Sequence, residues 1–457
     1  MIPMSLAEVA AAVGGKLSET ADPEAEVTGG VEYDSRKAGP GGLFLALPGE
    51  RVDGHDFAAA ARDRGAVAVI ASREVDAPAI YVDDGLAALA ALAGHAARRS
   101  EAAVIGVTGS NGKTSTKDLL GQLCSRLGPT VHTEANFNNE LGHPYTVCQV
   151  EPDTEYLVLE LAARGLGHIT ELCRIAPPKI GVVLNVGISH LDGFGDIETT
   201  ARAKSELPRF LDRDGHAVLN ADDERVAAMA GVTEADVLTF GLGGGADITA
   251  EDLDSADGRH RFTLRTPDGS APVRLQLWGR HHVCNALAAA GAAWLLGAGP
   301  DQIAAGLSEA GRKSERRMDV FTLPDGTTVI DDSYNANPAS MGAALSTLGQ
   351  IPTAGRRIAV LGLMADLEER SADCHHRVGV QAAEAGVDEI IAVGDGTEPV
   401  VDGAEGVAEA VHVPDQTAAV ERLRKRLRPG DTVLVKGSRY RTWDIADFLR
   451  AEEDNRQ

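Results

Sequence analysis

The stretch AVIGVTGSNGKTSTKDLLGQL, which begins at Ala103, constrains the fold of this chain more than any other. An apolar run predicts a buried strand, TGSNGKT from Thr108 to Thr114 predicts a glycine-rich turn, and the residues after it predict a helix. Such a turn presents backbone N–H groups and a helix N-terminus to phosphate, with Lys113 as the counter-charge and Thr114 as a Mg²⁺ ligand. Because Val107 stands where the strict phosphate-loop pattern has its first glycine, an ordinary Gly-Asn turn stays open as the alternative.

Short apolar strands and helical segments alternate along the rest of the 457-residue chain, which indicates an α/β protein with mainly parallel sheets. Residues 1–100 contain GLFLAL, AVAVIA and AIYVDD, and residues 101–313 add YLVLEL, IGVVLNV and HAVLNA. The charged stretch GRKSERRM, residues 311–318, predicts a linker. Residues 314–457 contain TTVIDD, RIAVLG, EIIAVG and TVLVKG. We therefore predict three domains: a small α/β domain, a central nucleotide-binding domain and a doubly wound C-terminal domain.

The balance of charge argues against nucleic acid and anionic membranes as partners. Lys and Arg number 43 against 68 Asp and Glu, a formal net charge of -25. The dense basic run RLRKRLRPG, residues 422–430, is interpreted as the solvated end of a helix, where cations suit the helix dipole.

Cysteine usage and hydropathy favour a cytoplasmic protein. The five cysteines are scattered without a C-x-x-C pair, so neither a disulfide framework nor a thiolate metal site is indicated. The N-terminus lacks the basic and apolar segments of a signal peptide. The most apolar helical run, NALAAAGAAWLLGAG from Asn285, is shorter than the roughly 20 residues of a membrane span. We expect no membrane association, and we expect a monomer.

Two polar residues follow the central strands at the sheet edge where ligands bind in α/β proteins, and a third candidate lies on a predicted helix. Glu160 ends YLVLE, and His190 lies in NVGISHLDGFG after the next strand. Both could ligate a divalent cation, and a surface or capping role is the alternative for each. Lys204, in ETTARAKSELPRF, has two interpretations: a solvated cation, or a buried amine whose lowered pKa makes it a nucleophile.

The segment TTVIDDSYNANPAS, residues 327–340, begins as a buried strand and becomes polar. Asp331 and Asp332 mark the carboxyl end of that strand, where a ligand is expected. Asn337 and Pro338 predict a helix start, with Asn as the N-cap and Pro in the first turn.

These motifs together resemble one family, the ATP-dependent Mur ligases of peptidoglycan synthesis. The resemblance covers nearly the whole chain in order: TGSNGKT, NFNNELGHP (Asn136 to Pro144), NVGISHLDGFG, ARAKSE, GRHHVCNALAA (Gly279 to Ala289) and DDSYNANP. DDSYNANP has the form found in the member that adds D-alanyl-D-alanine to UDP-N-acetylmuramoyl-tripeptide. The resemblance implies a P-loop-type central domain, a Rossmann-like C-terminal domain and an ATP-dependent ligation through an acyl phosphate, serving cell-wall biogenesis and hence cell shape and division.

For the nucleotide, the resemblance implies that Lys113 helps to move the γ-phosphate. Asn285 would contact adenine, Arg317 a phosphate and Asp332 the ribose. The loop residues that would hold ATP are Thr108, Gly109, Ser110, Asn111, Gly112, Lys113 and Thr114. The implied Mg²⁺ ligands are Thr114, Glu160, His190 and Lys204, the last as a carbamate formed with CO₂.

For the other substrates, the resemblance assigns one group of residues to each domain. The N-terminal domain would hold the UDP part, and the C-terminal domain would bind the incoming dipeptide. The UDP contacts would be Ser35 and Arg36. The contacts near the sugar and phosphate would be Asn136, Asn138, Asn139 and His143. The contacts of the dipeptide site would be Tyr334, Asn335, Lys436 and Arg439.

The chain departs from the family pattern at a few positions. His282 follows His281 where Asn is usual, Ala162 stands where Gly is common, and Leu363 replaces an Asp for which Asp366 is the candidate substitute. Three alternatives stay open: another ligase of the superfamily, which the absent DNPR segment argues against; an ATP-driven switch or motor; and a non-catalytic binding module. Whether the tripeptide carries diaminopimelate or lysine is not readable from the chain.

Overall fold

A computed structural model describes residues 1–49, 51–187, 195–255, 257–404, 409–438 and 441–454, which form three sheet-centred units. The N-terminal unit contains β1 (Met4–Ser5), α1 (Leu6–Val13), β2 (Lys16–Leu17), β3 (Glu26–Val27), β4 (Val31–Glu32), β5 (Leu43–Leu45), α2 (Ala58–Asp63), β6 (Ala68–Ala71), β7 (Ala79–Tyr81) and α3 (Gly85–Arg99). Its five-stranded sheet has the order β2-β7-β6-β5-β4, and β1 pairs with β3 beside it. The strands predicted in this block are present.

The central unit is built on one nine-stranded sheet. Its elements are β8 (Ala103–Thr108), α4 (Lys113–Cys124), β9 (Thr130–His132), α5 (Gly142–Val147), β10 (Tyr156–Glu160), α6 (His168–Ile175), β11 (Ile180–Val183), α7 (Ile197–Lys204), α8 (Glu206–Phe210), β12 (His216–Asn220), α9 (Glu224–Ala227), β13 (Asp236–Gly241), β14 (Ile248–Ser255), β15 (Arg259–Thr266), β16 (Gly269–Trp278), α10 (His281–Leu295) and α11 (Pro300–Glu309).

The strand order β16-β15-β14-β13-β12-β11-β8-β10-β9 puts β8 at a topological switch point, with β10 on one side and β11 on the other. These strands are parallel, with Glu160 opposite Val107 and Val183 opposite Thr108. An open α/β sheet binds ligands at such a point, outside the carboxyl ends of its strands. The phosphate-loop segment therefore lies in the expected crevice. Strands β14 to β16 form an antiparallel extension that the sequence pattern did not predict.

The C-terminal unit has a six-stranded sheet with the order β17-β18-β22-β19-β20-β21. Its elements are β17 (Asp319–Thr322), β18 (Thr328–Asp331), α12 (Pro338–Gln350), β19 (Arg357–Gly362), α13 (Ser371–Glu384), β20 (Glu389–Val393), α14 (Glu398–Gly403), β21 (Glu409–Val413), α15 (Gln416–Arg426), β22 (Thr432–Lys436) and α16 (Trp443–Asp454). All neighbours are parallel except β17 and β18. Separate apolar clusters cover the two faces, as the predicted doubly wound sheet requires.

The basic run at residues 422–430 is not the solvated terminus that we expected. Helix α15 does end in it, but Arg422 and Arg426 both pair with the carboxylate of Glu389, whose side chain is 2% exposed. Arg356 pairs with the same carboxylate and with Asp431. Two of the basic side chains therefore compensate a buried charge.

The segment predicted as a linker is tied to the helix after the phosphate loop. Gln122 exchanges two hydrogen bonds with the backbone of Gly311, and Ser314 Oγ donates to Asp118 Oδ2 at 2.7 Å. Helix α10 is buried along most of its length because it packs on the central sheet. In the part of the chain that the structure describes, no helix combines the length and apolar character needed to cross a membrane.

Candidate active site

The turn after β8 is organised to leave the start of α4 open to an anion. The backbone N–H groups of Ser110 and Asn111 donate to the backbone and side-chain oxygens of Asn185, at 3.0 and 2.8 Å. They are therefore occupied by the protein. The first three N–H groups of α4, from Lys113 to Ser115, have no carbonyl to bond within the helix, whereas the N–H of Thr116 donates to the Gly112 carbonyl at 2.8 Å. The phosphate-binding groups are thus the helix N-terminus, whose dipole also favours negative charge.

Gly112 can only be glycine in this turn. Its φ of 81° lies in the left-handed region, and a Cβ there would overlap Oδ1 of Asn285. Asn285, the predicted adenine contact, is buried and its Nδ2 lies 3.4 Å from Nδ1 of His282. Burial lowers the pKa of His282 well below its usual value, with the neighbouring His281 and Arg317 adding to the shift. The departure at position 282 therefore places a neutral imidazole against Asn285.

Lys113 bends back over the loop, and Nζ donates to the Gly109 carbonyl at 2.8 Å. Burial lowers its pKa, Glu160 opposes the shift and Arg317 adds to it. The negative charge of a bound phosphate would favour the protonated form of this amine.

Glu160 ends β10 with its side chain inside the protein, 1% exposed, which excludes the surface role considered for it. Asn138 Nδ2 donates to Oε1 at 2.7 Å, and Thr133 Oγ1 accepts from the Glu160 backbone N–H at 3.1 Å. Within the described residues Oε2 is buried and accepts no hydrogen bond. A buried carboxylate oxygen left without a donor is a fitting ligand for a divalent cation.

Lys204 is the last residue of α7 and is 3% exposed, so it is not a solvated cation. Burial lowers its pKa to about 7, and the charge of Lys113 adds to the shift while Glu206 and Glu160 oppose it. Lys113, Glu160 and Lys204 therefore lie close enough to influence one another. No group of three or more His, Cys, Asp or Glu suited to a metal occurs in the described ranges, and His190, the other predicted ligand, lies outside them.

The C-terminal unit contributes the opposite wall of the site. The guanidinium of Arg317 stacks on the ring of Tyr334, 4.2 Å from its centroid. Burial raises the pKa of Tyr334, Arg317 opposes the shift and Glu160 adds to it. The charge of Arg317 also helps to lower the pKa of Lys113. Arg317 and Tyr334 therefore lie near the phosphate loop, across the boundary between the units.

Asp332 and Lys436 were predicted for two different substrates, and the structure pairs them with each other. Lys436 Nζ lies 2.5 Å from Asp332 Oδ2 and 2.9 Å from the Asn335 carbonyl, and its side chain is 2% exposed. Asp332 Oδ1 accepts from the Met318 N–H. Lys436 therefore supports the loop that carries Tyr334 and the exposed Asn335, rather than presenting its ammonium to solvent.

Except for Asn138, the remaining predicted residues that the structure describes lie apart from this pocket. Arg36 is exposed and paired with Asp34 at 2.7 Å, and the neighbouring Ser35 is half-buried. Asn136 and Asn139 are exposed in the turn before α5, whereas Asn138 points to Glu160. His143 is fully buried, so in this conformation its ring presents no surface to a sugar or phosphate. Arg439 lies outside the described residues.

Sequence reasoning missed several residues that organise the site. Asn185 holds the phosphate loop, and Asn337 Nδ2 donates to Asn111 Oδ1 at 2.7 Å. Lys117, 1% exposed, pairs with Asp118 at 2.6 Å. A signal existed for Lys117, because it follows Lys113 by four residues and so shares its helix face. No local signal marks the other contacts.

Known proteins of one family match this chain along nearly its whole length. Family models described as the Mur ligase family catalytic domain, the Mur ligase middle domain and the Mur ligase, glutamate ligase domain match residues 28–124, 107–293 and 316–439. The UDP-N-acetylmuramoyl-tripeptide--D-alanyl-D-alanine ligase of Mycobacterium tuberculosis is 46% identical over 99% of each chain. The Escherichia coli protein of the same name is 36% identical over 100% of this chain and 99% of its own.

Two solved structures extend the comparison to the fold. MurF from Acinetobacter baumannii is 32% identical, with a TM-score of 0.87 over 99% of each chain. MurF from Thermotoga maritima in complex with ADP is 29% identical, with a TM-score of 0.80 over 94% of this chain and 99% of its own. The predicted α/β architecture is confirmed.

Proposed function

Because the chain belongs to the Mur ligase family, we propose that it joins D-alanyl-D-alanine to UDP-N-acetylmuramoyl-tripeptide in an ATP-dependent ligation. The product is the UDP-N-acetylmuramoyl-pentapeptide of peptidoglycan synthesis, formed with ADP and phosphate. The observation that carries the proposal is the meeting of Lys113, Glu160 and Lys204 beside a helix N-terminus, in a pocket that Arg317 and Tyr334 cover from another unit.

The chemistry requires the tripeptide carboxylate to be activated, since a carboxylate is a poor electrophile. A carboxylate oxygen attacks the γ-phosphorus, the bond to ADP breaks, and an acyl phosphate forms. The dipeptide amine then attacks the carbonyl carbon and loses a proton, and phosphate leaves. Lys113, Arg317 and the N-terminus of α4 supply the positive charge on which the transferred phosphoryl group is held.

The residues present fit a Mg²⁺ site. Glu160 offers a buried carboxylate oxygen without a donor, and the buried Thr114 follows Lys113 in the first turn of α4. Lys204 fits as an oxygen ligand only after its amine adds CO₂, and the lowered pKa favours the neutral amine that this addition needs. When bound, Mg²⁺ shields the charge between the two anions that must meet. We propose His190 as a further ligand.

The other substrate groups are proposed to bind at the edges of this pocket. Residues 1–100 would hold the UDP part through Ser35 and Arg36, and Asn136, Asn138 and Asn139 would face the sugar and its phosphate. Within residues 101–313, Asn285 would contact adenine. Residues 314–457 would supply Asp332 to the ribose and would bind the dipeptide at Tyr334 and Asn335. Lys436 then acts by holding that loop.

We further propose that the protein works as a monomer in the cytoplasm. All the proposed groups belong to one chain, and the proposal assigns no group to a second copy. Light scattering at assay concentration tests the first point, because a stable dimer would contradict it.

A direct test is to mix the protein with Mg-ATP, UDP-N-acetylmuramoyl-tripeptide and D-alanyl-D-alanine and to look for the pentapeptide by mass. Both the diaminopimelate and the lysine tripeptides are tried. Absence of product with both tripeptides would refute the assignment. Steady ATP turnover that ignores the dipeptide would instead support a switch or motor.

A further inference from the structure

Asn337 holds the first turn of α12 and also reaches across to the phosphate loop. Its Oδ1 accepts from the Ser340 N–H at 2.9 Å, and its N–H donates to Ser340 Oγ at 3.0 Å, which completes a capping box. The cap uses only the oxygen of the amide. The amide nitrogen donates to Oδ1 of Asn111 at 2.7 Å, between residues 226 positions apart.

The acceptor of this bond sits on a rigid support. The Asn111 backbone is held on both sides, because its N–H donates to Asn185 Oδ1 at 2.8 Å and its carbonyl accepts from Asn185 Nδ2 at 3.0 Å. Ser110 Oγ exchanges hydrogen bonds with the Gly187 backbone. The backbone that carries the Asn111 side chain is therefore fixed on the central unit.

From this geometry we propose that Asn337 is a positioning residue that docks the C-terminal unit on the phosphate loop for the ligation step. The inference rests on the proposed function. Asn337 is 8% exposed and its contact with Asn111 is partly buried, so the contact is specific in direction. Because α12 begins immediately after the loop of Tyr334 and Asn335, fixing its first residue also fixes the proposed dipeptide site relative to the γ-phosphate.

The cap and the docking contact can be separated by substitution. Asn337→Thr keeps an oxygen that caps α12, since Thr is a favoured N-cap residue, but it removes the donor to Asn111. Asn337→Ser also caps but is too short to reach. Ser340→Ala is the matched control, because it removes half of the capping box and leaves the docking contact in place.

The experiment measures kcat, the KM for each substrate, the Kd for Mg-ADP and the melting temperature of the full-length protein. We expect kcat to fall by about three- to tenfold in both Asn337 variants, as for loss of one hydrogen bond. Their Kd for Mg-ADP and melting temperature stay near the wild-type values. We expect Ser340→Ala to melt earlier with kcat unchanged.

Small-angle scattering supplies a readout that a cap alone would not move. With UDP-N-acetylmuramoyl-tripeptide and a non-hydrolysable ATP analogue, the wild-type protein should be more compact than Asn337→Thr. Wild-type kcat and compaction in both Asn337 variants would overturn the proposal, as would losses of kcat that simply follow melting temperature in all three variants. Failure of the wild-type protein to form pentapeptide would overturn the proposed function instead.

Discussion

Two lysine amines share the pocket, and they are used differently. Lys113 is half-buried and turned onto the carbonyl of Gly109, whereas Lys204 is almost fully buried at the end of α7. Burial lowers the pKa of Lys204 to about 7 and the charge of Lys113 adds to that shift, whereas the pKa of Lys113 is lowered by its own burial and by Arg317. The pocket can therefore keep one lysine as the phosphate's counter-charge and the other as a neutral amine.

Removing the Lys204 amine should abolish most of the ligation. We expect Lys204→Ala to lower kcat by about 100-fold or more, as for loss of a metal-binding group. Millimolar acetate should restore part of that activity and leave the wild-type protein unaffected, because a small carboxylate can replace a carbamate oxygen. Lys179→Ala is the control, since Lys179 is a half-exposed lysine paired with Asp214. Wild-type turnover by Lys204→Ala would exclude the carbamate.

The sequence allowed prediction of those residues that lie within a motif at a strand end. Thr108 to Thr114 and Glu160 are of this kind. Lys436 also ends a strand, yet its ammonium is bonded to Asp332 inside the protein. A lysine at a strand end looks the same in sequence whether it faces a ligand or a buried carboxylate. Only the fold determines which partner is present.

At the scale of single elements, the turn into α4 depends on one backbone conformation. Gly112→Ala should weaken Mg-ADP binding and lower the free energy of unfolding by about 1–2 kcal/mol, because the left-handed φ disfavours Cβ. The new methyl group would also press on Asn285. Calorimetry and urea unfolding measure the two effects.

Gly14→Ala is the control that separates the backbone strain of a left-handed φ from the steric clash with Asn285. Gly14 has a φ of 65° and no atom within 4 Å of its Cβ position. The Gly14→Ala variant should lose a similar free energy of unfolding but bind Mg-ADP with the wild-type affinity. Equal nucleotide affinity in the two variants would show that contact with Asn285 does not matter.

The end of α15 is held by charge rather than exposed. Glu389→Gln leaves Arg356, Arg422 and Arg426 without their shared carboxylate, so we expect the free energy of unfolding to fall by about 3 kcal/mol. Kd for Mg-ADP should not change, because this cluster lies away from the pocket. Glu421→Gln is the control, since that pair with Lys425 is exposed and should be worth well under 1 kcal/mol. A loss in Glu389→Gln no larger than the control's would contradict this account.

At the scale of the whole molecule, buried imidazoles should make the fold acid-sensitive. Burial lowers the pKa of His143 to about 4, below the value near 6.5 of the unfolded chain. Between these two values the unfolded state binds the proton and the native state does not. Stability is therefore complete above pH 6.5 and is lost as pH falls toward 4. This one group accounts for about 3 kcal/mol over that range.

Thermal melts from pH 7 to pH 4 check this expectation. His143→Asn should show a shallower loss of melting temperature than the wild-type protein, because it has no imidazole to protonate on unfolding. His168 is an exposed histidine at the start of α6, so His168→Asn serves as the control. Parallel melting curves for the wild-type protein and His143→Asn would refute the role of His143.

The sheets and their order of appearance could be predicted, because apolar runs and turns are local signals. The antiparallel strands β14 to β16 were missed because they lack a long apolar run, although the alternation of buried and exposed residues in β15 and β16 is typical of a strand with one solvated face. The contacts between residues far apart in the sequence were missed for a different reason. Asn111 meets Asn185 and Asn337 across 74 and 226 residues, and spacing along the chain carries no information about such meetings.

The central claim is that ATP activates a carboxylate at the seam between the central and C-terminal units. The most direct measurement labels the terminal carboxylate of UDP-N-acetylmuramoyl-tripeptide with oxygen-18 and determines the mass of the phosphate released with D-alanyl-D-alanine present. Ligation through an acyl phosphate predicts that each phosphate carries one labelled oxygen, because the amine displaces the oxygen that attacked ATP. Unlabelled phosphate, with an oxygen taken from water, would contradict the account.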